Sequence, residues 1–273
     1  MDDPEGNLVI VERVVRENQR RFPDWEHGWG GTAHVLTSTQ DGAVEQKEQK
    51  EVKYIVPFDF AFLGGSVLSL LITDADVDAI RVTKDVDVMM NIRTRKDYHR
   101  VDEMLEGLGF RHDTREDAPV CRWIFDGVTV DVLPIREDVL GWNSRWFEEA
   151  LAAATQMQYG GQTVKIISAP YFLALKLEAF EERGAGDFIV STDFEDVICL
   201  LNGRETIVYE VLKTEGVREF LSERFARYLE SADMKDAVEG FVQTENEPEL
   251  RKELILKRMC EIATLGNSEA SFQ

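Results

Sequence analysis

The spacing of apolar residues changes near residue 167. Before that point, apolar runs of strand length alternate with helical segments; after it, apolar residues recur at the three- and four-residue spacing of amphipathic helices. The pattern predicts strands and helices in the first part of the chain and only helices in the second. Strands are predicted over 58–63, 85–88, 110–111, 120–125, 128–133 and 164–167.

Capping residues mark the ends of several predicted helices. Gly109 follows a helix predicted from Thr94 to Leu108, and Ser168 precedes one from Ala169 to Arg183. The run from Thr192 to Glu195 fits a capping box for a helix that ends near Leu201. Further helices are predicted over 205–214, 217–230, 233–242 and 248–264, and a helix or loop–helix connection over 142–154.

The N-terminal 56 residues carry a separate pattern. Residues 7–22 are predicted to form an amphipathic helix, and 32–39 with 52–56 a hairpin around a polar segment. The loop over 24–31 contains Trp25, His27 and Trp29. These side chains either form an aromatic lip for a ligand or cover an edge of the core.

A glycine turn follows the apolar run over 58–63. Gly64-Gly65-Ser66 interrupts the run, and Val67 to Leu71 reads as a helix start. A Gly-Gly turn at a helix N-terminus lets backbone N–H groups approach an anion. This turn is a candidate phosphate-binding segment, although Gly-Gly turns are common without such a role.

Three aspartates lie in or beside predicted strands. If Val86 and Val88 face the core, Asp85 and Asp87 share the opposite face, where they either hold a divalent cation or only face water. Asp131 interrupts an apolar strand that the Asp126-Gly127 turn joins to its predecessor. A carboxylate at such a position is either paired in an ion pair or bound to a metal.

Composition narrows the class of protein. The chain has 273 residues, 44% of them hydrophobic, and a net charge of −21, so general affinity for nucleic acid or an anionic membrane is disfavoured. Its three cysteines form no CxxC pair, and no apolar run is long enough to span a bilayer. We expect a cytoplasmic protein without a membrane partner.

The combined motifs resemble the nucleotidyltransferase superfamily with the DNA polymerase β-like fold, and within it the branch that includes AbiEii/MenT-type toxins. The likeness rests on Gly64-Gly65-Ser66, on RVTKDVDVM from Arg81 to Met89, and on VDVLP around Asp131. A second likeness covers the helix from Ser168 to Phe180, followed by acidic residues up to Asp196. The likeness extends over 60–135 and, in part, 165–203. The acidic insert over 74–78 departs from the family pattern.

The resemblance implies an α+β fold. A polymerase-β-like nucleotidyltransferase domain, with a mixed sheet, flanking helices and an N-terminal extension, would span residues 1–160, and an all-α domain would span 161–273. It implies transfer of a nucleoside monophosphate from an NTP to a hydroxyl acceptor, with release of pyrophosphate. The acceptor would be tRNA or protein for a toxin, which would have an antitoxin partner. The alternatives are a small-molecule, antibiotic-type enzyme and a non-catalytic NTP-binding or partner-binding protein.

The resemblance also implies roles for individual residues. Asp85, Asp87 and Asp131 would be catalytic and would bind Mg²⁺ or Mn²⁺. Lys176 would reach the triphosphate, unless it is a surface lysine whose stem packs on the helix. The full set of expected nucleotide-binding residues is Gly64, Gly65, Ser66, Lys84 and Lys176.

Overall fold

The computed structural model describes residues 58–74, 83, 85–141, 143–159, 162–183, 186–242 and 247–266. The predicted N-terminal helix and hairpin, the aromatic lip, and the side chains of Arg81 and Lys84 lie outside these ranges. Those predictions therefore stay predictions.

Seven strands form one mixed sheet in the order β3-β4-β5-β2-β1-β7-β6. The pairs β2–β5 and β1–β7 are parallel, and the other neighbours are antiparallel. The strands are β1 Phe60–Leu63, β2 Asp85–Met90, β3 Arg111–His112, β4 Arg122–Phe125, β5 Val128–Pro134, β6 Thr155–Tyr159 and β7 Gln162–Ile166.

Helices flank this sheet and make up most of the described chain after it. A 3₁₀ turn, Gly65–Val67, precedes the first helix. The helices are α1 Leu68–Leu71, α2 Arg95–Gly107, α3 Glu137–Leu140, α4 Phe147–Ala152, α5 Ala169–Arg183, α6 Thr192–Gly203, α7 Ile207–Lys213, α8 Glu215–Tyr228, α9 Ala232–Phe241 and α10 Pro248–Thr264. The predicted α+β architecture is confirmed. Because β7 continues the sheet to Ile166, strand structure extends past residue 160, and the division into two domains there stays a prediction.

The hairpin between β4 and β5 forms the second and third strands from one edge of the sheet. Asp126 and Gly127 have φ angles of 49° and 81°, the left-handed conformation that a tight two-residue hairpin requires. Every residue of β5 is buried, as expected for a strand covered on both faces. The turn pairs Phe125 with Val128, and this register brings Arg122 opposite Asp131.

One helix cap and one strand differ from the predictions. The Ser191 hydroxyl accepts a hydrogen bond from the Phe194 N–H at 3.3 Å, so α6 is capped one residue before the capping box predicted at Thr192. The strand β6 was not predicted, because most of its residues are exposed and polar and show no apolar alternation.

Hydrogen bonds join the helical half to the chain that follows α1. The backbone N–H groups of Thr73 and Asp74 donate to the Gly203 carbonyl at 2.8 and 2.9 Å. The buried Arg258 guanidinium donates to the carbonyls of Leu201 and Asn202, which lie at the end of α6. The end of α6 is therefore held against the segment that leaves the sheet. Within the described residues, no helix has both the length and the apolar character needed to cross a membrane.

We predict that Ser191→Ala lowers the free energy of unfolding by about 1 kcal/mol, because the N-cap hydrogen bond is lost. The matched control is Thr192→Ala, at an exposed position, with an expected change under about 0.5 kcal/mol. Urea denaturation of both variants measures the difference. A larger loss in the Thr192 variant would show that the cap is at residue 192.

Candidate active site

Strand β2 presents two carboxylates on one face. Val86 and Val88 are fully buried in the core, whereas Asp85 and Asp87 are half-buried on the opposite face. The predicted alternation is confirmed. The strand is internal to the sheet, between β5 and β1, so the two aspartates do not belong to an exposed edge strand.

Asp131 lies on the neighbouring parallel strand, directly beside Asp87. The register pairs Asp87 with Asp131 and Asp85 with Thr129, and paired residues of adjacent strands project to the same face. The Asp131 side chain is buried. The fold thus brings the three predicted carboxylates together at one place on the sheet.

Gly64 follows β1 and lies next to the Asp87 carboxylate. Leu63 pairs with Asp87, so the chain turns away from the sheet right beside the Asp87 carboxylate. Gly64 has φ 72° and ψ −168°, a conformation that residues with a Cβ rarely adopt. A Cβ at Gly64 would come 1.8 Å from Asp87 Oδ2, so the close approach itself requires glycine.

The segment after Gly64 differs from the expected helix N-terminus. Only four residues, Leu68–Leu71, form α-helix, so little helix dipole is available to attract an anion. The Ser66 hydroxyl donates to the Leu63 carbonyl at 3.1 Å and thereby stabilises the turn. The Ser66 hydroxyl is therefore already engaged within the turn.

Burial and electrostatic repulsion both act on Asp87. Burial, followed by the charges of Asp85 and Asp131, raises the pKa of Asp87 to about 7. Two cations, Lys176 and Arg183, act in the opposite direction and lower it in part. Asp87 is therefore close both to the other carboxylates and to cations from helix α5.

Arg122 contacts two of the three carboxylates. Its Nε donates to Asp131 Oδ1 at 2.8 Å and its Nη2 donates to Asp131 Oδ2 at 2.7 Å, and Nη2 lies 3.8 Å from Asp85 Oδ2. These contacts raise the pKa of Arg122, chiefly through the hydrogen bonds to Asp131. The sequence-based prediction did not include Arg122, although the Asp126-Gly127 turn was enough to place it opposite Asp131.

Lys176 is mostly buried and lies between two carboxylates. Its Nζ is 3.0 Å from Asp193 Oδ1 and 2.6 Å from Asp196 Oδ2. Burial alone lowers the pKa of Lys176, but the charges of Asp196 and Asp193 outweigh it and the pKa is raised. Arg183 also pairs with Asp193, at 3.1 Å. Lys176 is therefore not a surface lysine.

The remaining residues of the predicted set have clear positions or lie outside the described part. Asp187 accepts hydrogen bonds from the backbone N–H groups of Ile189 and Val190 and so stabilises the local turn. Lys84 lies outside the described residues, so its predicted contact with nucleotide stays a prediction. Arg183, seven residues after Lys176 on the same helix face, was not among the expected site residues.

The residues fit a hard divalent cation in their chemistry. Carboxylate oxygens are the ligands that Mg²⁺ prefers, and the charges of Asp85 and Asp131 add to burial in raising the pKa of Asp87. In the described ranges, no group of three acidic, histidine or cysteine side chains is already arranged as a metal site. Asp131 is engaged by Arg122 instead, so Asp85 and Asp87 would hold a cation first, and Asp131 would join after rearrangement.

Comparison with known proteins adds a limited structural likeness. No protein-family model and no curated protein matches the chain. Among solved structures, an antigenic nucleotidyltransferase-like protein from Paracoccidioides brasiliensis is 18% identical with a TM-score of 0.39, over 72% of this chain and 85% of that one. The antibiotic-resistance factor ANT(2'')-Ia is 12% identical with a TM-score of 0.35, over 52% of this chain and 73% of that one. These values do not establish a family.

We predict that Gly64→Ala destabilises the protein by at least about 3 kcal/mol, because the new Cβ meets the Asp87 carboxylate and the backbone conformation disfavours it. The matched control is Gly141→Ala. Gly141 also has positive φ, 87°, but has open space around it, so a cost of about 1 kcal/mol is expected. Chemical denaturation measures both, and equal costs would show that the contact with Asp87 is unimportant.

Proposed function

We propose that the chain transfers a nucleoside monophosphate from an NTP to a hydroxyl group of an acceptor, with release of pyrophosphate. The observation that carries the proposal is the grouping of Asp85, Asp87 and Asp131 on adjacent parallel strands, against the backbone of Gly64. Grouped carboxylates cost stability unless a cation binds among them. The absence of a side chain at Gly64 lets its backbone approach the Asp87 carboxylate closely.

The three aspartates would have two different roles, one toward the NTP and one toward the acceptor. Mg²⁺ or Mn²⁺, when bound, neutralises charge on the phosphate oxygens during the transfer. Asp85 and Asp87, which share β2, would hold the cation on the NTP side. Asp131, on β5, would face the acceptor and accept the proton from its hydroxyl group.

The NTP would bind between the sheet and the helical half. Backbone N–H groups of Gly65 and Ser66 would contact the outer phosphates, with Lys84 as a further contact. Lys176 comes from α5, and its charge already acts on Asp87. Because Asp193 and Asp196 hold Lys176 in place, the ammonium would be positioned before the triphosphate arrives.

The proposal extends to the class of acceptor. In the toxin-like form, the acceptor is a tRNA or a protein and a cognate antitoxin binds the chain. The second candidate is a small hydroxylated molecule, as in antibiotic-modifying enzymes. The net charge of −21 favours this second candidate, because a strongly acidic surface repels a polyanion.

Label transfer from α-³²P-labelled NTPs tests the proposal. Each NTP is incubated with the protein and Mg²⁺ or Mn²⁺, with total tRNA, a protein extract or a set of aminoglycosides as acceptors. We expect label on one acceptor class, and none with Asp85→Asn/Asp87→Asn. NTP binding without any transfer would favour the non-catalytic alternative, and equal transfer by the double variant would disprove the role of the aspartates.

We also predict that Asp87→Asn abolishes transfer and yet stabilises the fold in the absence of divalent cations. The folded-state pKa of about 7 lies above the ordinary 3.8, so the native state binds more protons than the unfolded state between these values. Wild-type stability therefore falls as pH rises through this window, and the asparagine variant escapes the loss.

Thermal unfolding at about pH 5 and about pH 8 measures this effect. The melting temperature of Asp87→Asn should exceed that of the wild type by more at the higher pH. Asp117→Asn, at an exposed position, controls for the loss of one negative charge. A constant difference across the two pH values would contradict the assignment of the raised pKa to Asp87.

A further inference from the structure

The Arg122 guanidinium lies near two of the three carboxylates, those of Asp131 and Asp85. Its side chain extends from β4 and binds both oxygens of Asp131 in a parallel, two-bond arrangement. The same Nη2 atom lies between Asp131 Oδ2, at 2.7 Å, and Asp85 Oδ2, at 3.8 Å. A guanidinium group thus lies where one cation would contact carboxylates of both β2 and β5.

A divalent cation and this guanidinium group cannot share the position without cost. Both carry positive charge, and both would bind the oxygens of the Asp131 carboxylate. Only about a tenth of the Asp131 side chain is exposed to solvent. Water screens their repulsion poorly there. Binding of a cation at Asp131 therefore requires that Arg122 weakens or gives up its contact.

The surroundings of Arg122 allow such a movement. A quarter of its side chain is exposed. Asp113, joined to the Arg122 backbone by a 3.1 Å hydrogen bond, offers another carboxylate nearby. The pKa of Asp113 is lowered to about 2, chiefly by its hydrogen bond with Arg115 and to a smaller extent by the charge of Arg122.

We propose that Arg122 is a positioning residue that holds Asp131 in place of a divalent cation and releases it when the cation binds. This inference rests on the proposed function, since it assumes that the aspartates bind a metal. In addition, Arg122 would engage the Asp131 carboxylate, on the acceptor side of the site, until the cation binds. The arginine thereby offsets carboxylate repulsion in the metal-free protein.

The proposal is tested by measuring how tightly Mn²⁺ binds to the 273-residue chain. Electron paramagnetic resonance detects the free ion, so no measurement of activity is needed. Arg122→Gln removes the competing charge, so we expect Mn²⁺ to bind roughly tenfold more tightly than to the wild type. In the Asp131→Asn background, where the competition is absent, the same substitution should change the affinity by less than about threefold.

Arg122→Lys provides a second variant in case the glutamine variant does not fold. Lysine keeps the charge but cannot form the parallel pair of hydrogen bonds, so a smaller gain in Mn²⁺ affinity is expected. Equal or weaker Mn²⁺ binding by the Arg122 variants would overturn this inference and leave the proposed function standing. Absence of Mn²⁺ binding in the wild type and in all variants would overturn both.

Discussion

The Asp87 carboxylate is held against the Gly64 backbone on one side and beside two other carboxylates on the other. It cannot move away freely, because β2 is an internal strand and its other face packs in the core. Burial, followed by repulsion from Asp85 and Asp131, raises its pKa to about 7. Cations lie near all three carboxylates. Arg122 from β4 contacts Asp131 and Asp85, and the charges of Lys176 and Arg183 from α5 act on Asp87.

The two sources of positive charge reach the carboxylates by different structural routes. Arg122 is placed by a local hairpin, whose two-residue turn determines its partner across the sheet. Lys176 and Arg183 come from α5, whose position depends on how the helical half packs on the sheet. That packing is anchored at the end of α6, where Gly203 accepts hydrogen bonds from the chain leaving α1. The site therefore depends on both halves of the protein.

This difference explains how much the sequence could predict. Strand alternation was sufficient to place Asp85 and Asp87 on one face, and the hairpin register contained enough information to place Arg122 beside Asp131. The partners of Lys176 depend on the packing of α5 against α6, which no local pattern encodes. Likewise, β6 was missed because its polar residues lack the apolar alternation that marks a buried strand. A helix start over Val67 to Leu71 was predicted, and the helix α1 there is only one turn long.

The dependence on strand register links the fold to the chemistry. If β2 slipped by one residue against β5, Val86 would lie beside Asp131 and both β2 aspartates would face the core. Burying two unpaired carboxylates would cost several kcal/mol, so the slipped arrangement is strongly disfavoured. The buried valines thus select the same register that gathers the aspartates. The site can carry repulsive charges because the apolar packing of alternate residues, rather than any attraction among the aspartates, holds the strands in place.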